Sequence, residues 1–153
     1  MQFNVIVVAT DFSPGADAAF AQGLSLAQQH QARLLVVHVM PPLVNPSPLL
    51  DEMAVTQTTL ALRDGLRRSC QEELQSRYLD RAQGVQAEIL FLEGDPTREL
   101  VRLLKERGAD LAVIGSTGVS GLAETVFGSV AQKLVRRAPC SVLVARPPAQ
   151  PPA

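Results

Sequence analysis

The sequence contains no tryptophan, and aromatic residues make up only 4% of its 153 positions. A surface that stacks nucleic-acid bases needs more rings than that. Excess charge is missing too. Fourteen Lys and Arg stand against fifteen Asp and Glu, for a net charge of -1. That balance makes no field strong enough to gather nucleic acid or an anionic membrane. Histidine and cysteine number two each. His30, His38, Cys70 and Cys140 are scattered, with no C-x-x-C pair, so neither a metal site nor a disulfide framework is expected. His38, within an apolar run, reads as a sheet residue rather than a ligand. No apolar run reaches membrane-spanning length, and no basic-then-apolar leader opens the chain. The expectation is a cytoplasmic protein with no membrane partner and no nucleic-acid partner.

Several motifs are also absent. No GKS or GKT occurs, which excludes a Walker-type phosphate loop. No GxGxxG follows the first apolar run, which disfavours a dinucleotide dehydrogenase. Asp11 stands alone, without the clustered carboxylates and lysine of a receiver domain. No Ser-His-Asp or Cys-His arrangement is evident, and no catalytic residue can be named.

What is present is a regular alternation. Hydrophobic residues make up 46% and charged residues 19%, a composition that suits one globular domain with a real core. Val5 to Ala9 is a short continuous apolar run, the mark of a buried parallel strand. Ser13 and Pro14 then supply an N-cap and a first helical residue, and helical spacing continues to about His30. Leu34 to Val39 is the second strand. The proline-rich stretch from Pro41 to Pro48 cannot be regular helix. A long helix is predicted from about Asp51 to Ala82, with Leu62, Leu66, Cys70 and Leu74 as its apolar stripe and Gly84 after its end. Val85 to Leu92 alternates as a third strand. Asp95 and Pro96 open a third helix with Leu100, Val101 and Leu104 facing inward, and Gly108 stops it. Leu111 to Ile114 is the fourth strand. A fourth helix begins near Val130 and ends before Pro139, and Ser141 to Ala145 is the fifth strand. Residues 147–153 read as a disordered proline-rich tail on a single domain of residues 1–146. The pattern calls for an α/β fold, a doubly wound parallel sheet with helices on both faces.

Between the fourth strand and the fourth helix lies GSTGVSGLAETVFGS. Gly115 and Gly118 are separated by two residues; nine more precede Gly128 and Ser129. Glycines let backbone N–H groups approach an anion, and the free N–H groups of a helix start attract it. A tight connection and a plain helix start would use the same residues. Asp11 likewise suits either a turn or a ligand.

Taken together, VIVVATDFSPGA, VVHVM, EGDPTREL and the final GSTGVSGLAETVFGSVAQKLVRRAPCSVLVAR carry a family resemblance. The chain resembles the universal stress protein family, in its ATP-binding branch, from about Phe3 to Arg146. The resemblance implies a five-stranded sheet of order 3-2-1-4-5, adenine nucleotide alpha hydrolase-like. That order brings Thr10 and Asp11 to the same crevice as Gly115. It implies that Ala9, Thr10 and Asp11 line the adenosine end, with Asp11 accepting from a ribose hydroxyl. Val39 would set its backbone against the adenine edge. Gly115, Gly118, Gly128 and Ser129 would surround the phosphates. The Val130 N–H would point at the anion, and Ser129 would also cap the fourth helix. The chain departs from the family in carrying Thr117 where Arg or His is frequent, and Ala9 where Pro is frequent.

The implied function is ATP binding, with Mg2+ held through the phosphates, in a stress-response or signalling module. The implied assembly is a homodimer through Ser141 to Ala145. A slow ATPase or phosphotransferase and a nucleotide-independent dimeric interaction protein are the alternatives.

Overall fold

The computed structural model describes residues 1–42, 52–117 and 127–148. Most of the proline-rich stretch, Gly118, Glu124 and residues 149–153 of the tail lie outside them. The chain runs β1 (Val5–Thr10), α1 (Pro14–His30), β2 (Arg33–Met40), α2 (Glu52–Arg77), a 3-10 turn (Leu79–Arg81), β3 (Ala87–Glu93), α3 (Pro96–Glu106), β4 (Leu111–Gly115), α4 (Ser129–Arg137) and β5 (Ser141–Ala145). The sheet is parallel throughout, in the order β3-β2-β1-β4-β5. This is the predicted 3-2-1-4-5 arrangement.

Period-two alternation along β1 divides the core between the two faces. Ile6 and Val8 pack with Phe20 and Ala27 of α1 and with Leu74 and Tyr78 at the end of α2. Val7 points the other way, toward Leu100, Leu103 and Leu104 of α3 and Leu134 of α4. Burying each such side chain stabilises the fold by about 1.5–3 kcal/mol. The inner face of α3 therefore uses Leu103, while Val101 is only partly buried.

The predicted helix starts hold at two places. Ser13 Oγ accepts from Ala16 N–H at 3.2 Å, with Pro14 at the first turn. Asp95 Oδ1 accepts from Arg98 N–H at 2.9 Å, with Pro96 in the same position. Two other predictions need correction. The α4 cap is Gly128, which has no side chain to offer, and Ser129 is the first helical residue. The helix begins one residue earlier than the apolar pattern implies, because Gly128 C=O already accepts from Gln132 N–H.

The second correction concerns α2. It ends at Arg77 rather than Ala82, and its stripe is not continuous core. Leu74 is buried, but Leu62 is 56% and Leu66 39% exposed. Length explains this. Twenty-six residues of helix extend about 39 Å at 1.5 Å per residue. The seven residues of β3 reach only about 23 Å at 3.3 Å each. The helix outruns the sheet that would cover its stripe.

Candidate functional site

A cleft of about 410 Å3 opens at the carboxyl ends of the strands beside β1, where the winding reverses: β2 and β3 are added on one side of β1, then β4 and β5 on the other. This size falls within the range of about 300–1,000 Å3 usual for small-molecule sites. Ala9, Thr10, Asp11, Val39, Gly115, Gly128, Ser129 and Val130, all singled out in the sequence, line it. Gly118 lies outside the described residues. The sequence pattern did not assign Val37, Leu100, Ile114 and Ala131 to the site, where they form an apolar floor. Val37 could have been found from Val39 by strand alternation.

The β1 wall is a tight turn. Asp11 Oδ1 accepts from Ser13 N–H at 3.0 Å, so Asp11 has a turn role whatever else it does. Phe12 between them has φ of 64°. A left-handed backbone at a bulky residue costs on the order of 1–3 kcal/mol and persists only where neighbours hold it. Phe12 N–H donates to Thr10 Oγ1 at 3.0 Å. Thr10 meets the cleft, but its hydroxyl lies 2.7 Å from that of Tyr78, on the opposite face of the sheet. His38 also lines the cleft, but its ring packs on that side, against Phe12 and Phe91. Its Nδ1 lies 2.9 Å from Thr10 O. A carbonyl only accepts, so Nδ1 carries the proton.

Behind this wall, Tyr78 OH donates to Asp17 Oδ1 at 3.0 Å, and Arg77 grips both Asp17 oxygens at 2.9 and 2.6 Å. Burial pushes the Asp17 carboxyl up, yet its hydrogen bonds to Arg77 and Tyr78 outweigh that and hold it below its usual value. The Tyr78 phenol is pushed up to about 12, chiefly by burial. Nothing in the spacing of Tyr78 marked it, though it is the only tyrosine in the chain.

The opposite wall is built from backbone. Ser116 N–H donates to Ala145 O, and Gly128 N–H donates to Ser116 O, both at 2.8 Å. The second bond ties the two ends of the glycine-rich loop together, and the first anchors them to β5. A Cβ on Gly115 would sit 2.6 Å from the Gly15 carbonyl carbon, and one on Gly15 would sit 2.6 Å from Thr117 O. Gly115 therefore has a packing reason independent of any ligand: α1 crosses it too closely for a side chain. The first intrahelical bond of α4 is from Gln132 N–H to Gly128 O, at 3.0 Å. Ser129, Val130 and Ala131 precede it in the ladder, and all three line the cleft. Unpaired N–H groups at such a helix start favour an anion.

Asp11 is the one charged side chain among the described residues of the lining. Among the described residues, no group of three or more His, Cys, Asp or Glu could hold a metal ion.

The model of one family, described as "Universal stress protein family", matches residues 2–146. The chain belongs to the universal stress protein family. The universal stress protein YxiE of Bacillus subtilis is 33% identical over 147 residues, covering 94% of this chain and 99% of YxiE. Among solved structures, the universal stress protein UspA from Lactobacillus plantarum superposes with a TM-score of 0.75 at 25% identity. That match covers 95% of this chain and 99% of UspA. A universal stress protein family protein from Arabidopsis thaliana, with AMP bound, has a TM-score of 0.57 at 23% identity, covering 95% and 93%. The sheet order and the universal stress protein neighbours agree on an adenine nucleotide alpha hydrolase-like fold.

Proposed function

We propose that this universal stress protein binds an adenine nucleotide in the cleft and acts as a nucleotide-dependent stress-response or signalling module in the cytoplasm. The observation that carries the reading is convergence. Asp11 from one end of the sequence and Gly115, Gly128, Ser129 and Val130 from the other share one cleft with Val39. The adenine edge would meet the Val39 main chain over the apolar floor. A ribose hydroxyl would donate to Asp11. The phosphates would sit against Gly115, Gly118, Gly128, Ser129 and the Val130 N–H. The AMP bound to the Arabidopsis relative supports an adenine nucleotide as the ligand class.

ATP with Mg2+ is the proposed form. No Lys or Arg lies between Gly115 and Ser129, so the loop has no cation of its own for a triphosphate. Mg2+ carried on the phosphates would supply one. The lining fits that role better than a resident metal site, since its described residues hold a single carboxylate. The same lack argues against efficient turnover. Removing an arginine finger from a phosphoryl-transfer site costs about 10³–10⁵ in rate. Hydrolysis by this chain should stay far below an enzyme median of about 10 per second.

Assembly belongs to the same proposal. β5 is an edge strand, and Val142, Leu143 and Val144 are only partly buried. Such an edge invites pairing with its own copy across a two-fold axis near Leu143. Light scattering should give a dimer that Val142→Lys with Val144→Lys breaks; a wild-type monomer at high micromolar concentration contradicts this.

The decisive experiment is calorimetric titration of ATP with Mg2+ into the wild type and Gly118→Val. A clear loss of affinity in the variant is expected. Equal affinity rejects the assignment of the loop.

A further inference from the structure

The hydrogen bonds behind the β1 wall have a single direction. Tyr78 is fully buried, with Thr10 only 6% exposed, so solvent gives their hydroxyls no easy alternative partner. Each hydroxyl has one proton to donate. The Asp17 carboxylate, ionised against Arg77, can only accept, so the Tyr78 proton goes to Asp17 Oδ1. The 2.7 Å contact between the hydroxyls must then use the Thr10 proton. This leaves a Thr10 lone pair to receive Phe12 N–H. The order is Phe12 N–H to Thr10, Thr10 to Tyr78, Tyr78 to Asp17. Chains aligned in this way strengthen one another.

The far end of the chain is the peptide that joins Asp11 to Phe12. Its N–H is held by Thr10, and its following φ of 64° is a conformation a phenylalanine rarely takes unaided. The peptide before Asp11 is held as well, because His38 Nδ1–H donates to Thr10 O. Asp11 is thus fixed on both sides by groups that approach from the opposite face of the sheet. Neither Tyr78 nor Asp17 lines the cleft.

We infer that Tyr78 is a positioning residue for nucleotide binding: acting through the Thr10 hydroxyl, it sets the Asp11–Phe12 peptide so that Asp11 faces the ribose. The inference rests on the reading of the cleft as an adenine-nucleotide site. It makes the junction after α2, remote from the cleft in sequence, part of what determines affinity.

The test is titration of ATP with Mg2+ into wild type, Tyr78→Phe, Thr10→Val, the double variant and Leu74→Ala. Tyr78→Phe keeps the ring and loses only the hydroxyl. It should weaken ATP by about three- to tenfold, the usual worth of one hydrogen bond. Thr10→Val should weaken it similarly, and the double variant no more than the larger single effect, since both cut one chain. Leu74→Ala loosens the same junction by packing alone, so its melting point should fall while its affinity, measured well below that point, stays wild type. Wild-type affinity in Tyr78→Phe overturns the inference. So do additive effects in the double variant, or an affinity loss in Leu74→Ala equal to that in Tyr78→Phe. If Tyr78→Phe does not fold, Thr10→Val with Leu74→Ala as its control decides the matter by the same criterion. A wild type that binds no ATP rejects the nucleotide reading itself, and the inference with it; a wild type that binds while Tyr78→Phe is unaffected rejects the inference alone.

Discussion

On the β1 side of the cleft, side chains from β2, α1 and the end of α2 converge on a short turn: His38 on Thr10 O, Tyr78 on Thr10 Oγ1, Asp17 on Tyr78. On the β4–α4 side the contacts are backbone to backbone, and closeness is possible because Gly15 and Gly115 have no side chains. One wall is held by what its residues add, the other by what they omit. The difference sets how each wall can fail. Cutting a hydrogen bond on the β1 side removes a directed restraint while leaving the packing volume in place. Adding even one methyl on the other side pushes a helix off the sheet.

The largest effect should come from adding that methyl. Gly115→Ala places a Cβ against the Gly15 backbone, which cannot rotate away as a flexible side chain can. Overpacking of this kind costs about 3 kcal/mol. A domain of this size should then melt roughly 6–12 °C lower. An unchanged melting curve would show that α1 and β4 can separate freely, and the contrast between the walls would collapse.

Alkaline titration probes the other wall, with a smaller effect. The Tyr78 phenol rises from its ordinary 10.0 to about 12 in the folded protein. The folded state then holds its proton more tightly than the unfolded state does. The stabilisation is complete below pH 10 and is lost as pH rises through 12. Two pH units correspond to about 2–3 kcal/mol as an upper bound. Denaturant unfolding followed from pH 9 to 12 should show the decline in wild type and a flatter profile in Tyr78→Phe. Identical profiles would mean that the phenol does not sense its burial.

The smallest effect lies outside both walls. Arg102 pairs with Glu99 and Glu106 along the outer face of α3. Such pairs are screened by solvent and contribute little, so Arg102→Ala should leave thermal stability essentially unchanged. A clear loss in thermal melting would mean that exposed ion pairs rival the network behind Thr10.

The two walls were also unequally legible in the sequence. The glycine loop stood out because its pattern is contiguous, and the starts of α1 and α3 stood out because Ser13-Pro14 and Asp95-Pro96 act on amides within a turn. The Ser129 cap misled, since a residue suited to capping says nothing about which carbonyl accepts the first helical bond. The α2 stripe misled in another way. Helical spacing reports which residues share a face, and only the reach of the sheet reports whether anything covers that face at Leu62.

By itself the sequence determined the order of strands and helices, the helix starts at Ser13 and Asp95, and the family to which the chain belongs. The elements and helix starts depend on residues within a few positions of one another, and the family on contiguous motifs taken together along the chain. Only the tertiary structure decided that Gly115 must be glycine because α1 crosses it, that Leu62 is exposed while Leu74 is buried, and that Tyr78 reaches through Thr10 to the turn at Asp11. These depend on which segments the parallel crossovers bring together across the sheet, and local chemistry has no term for a contact that spans 68 positions of chain.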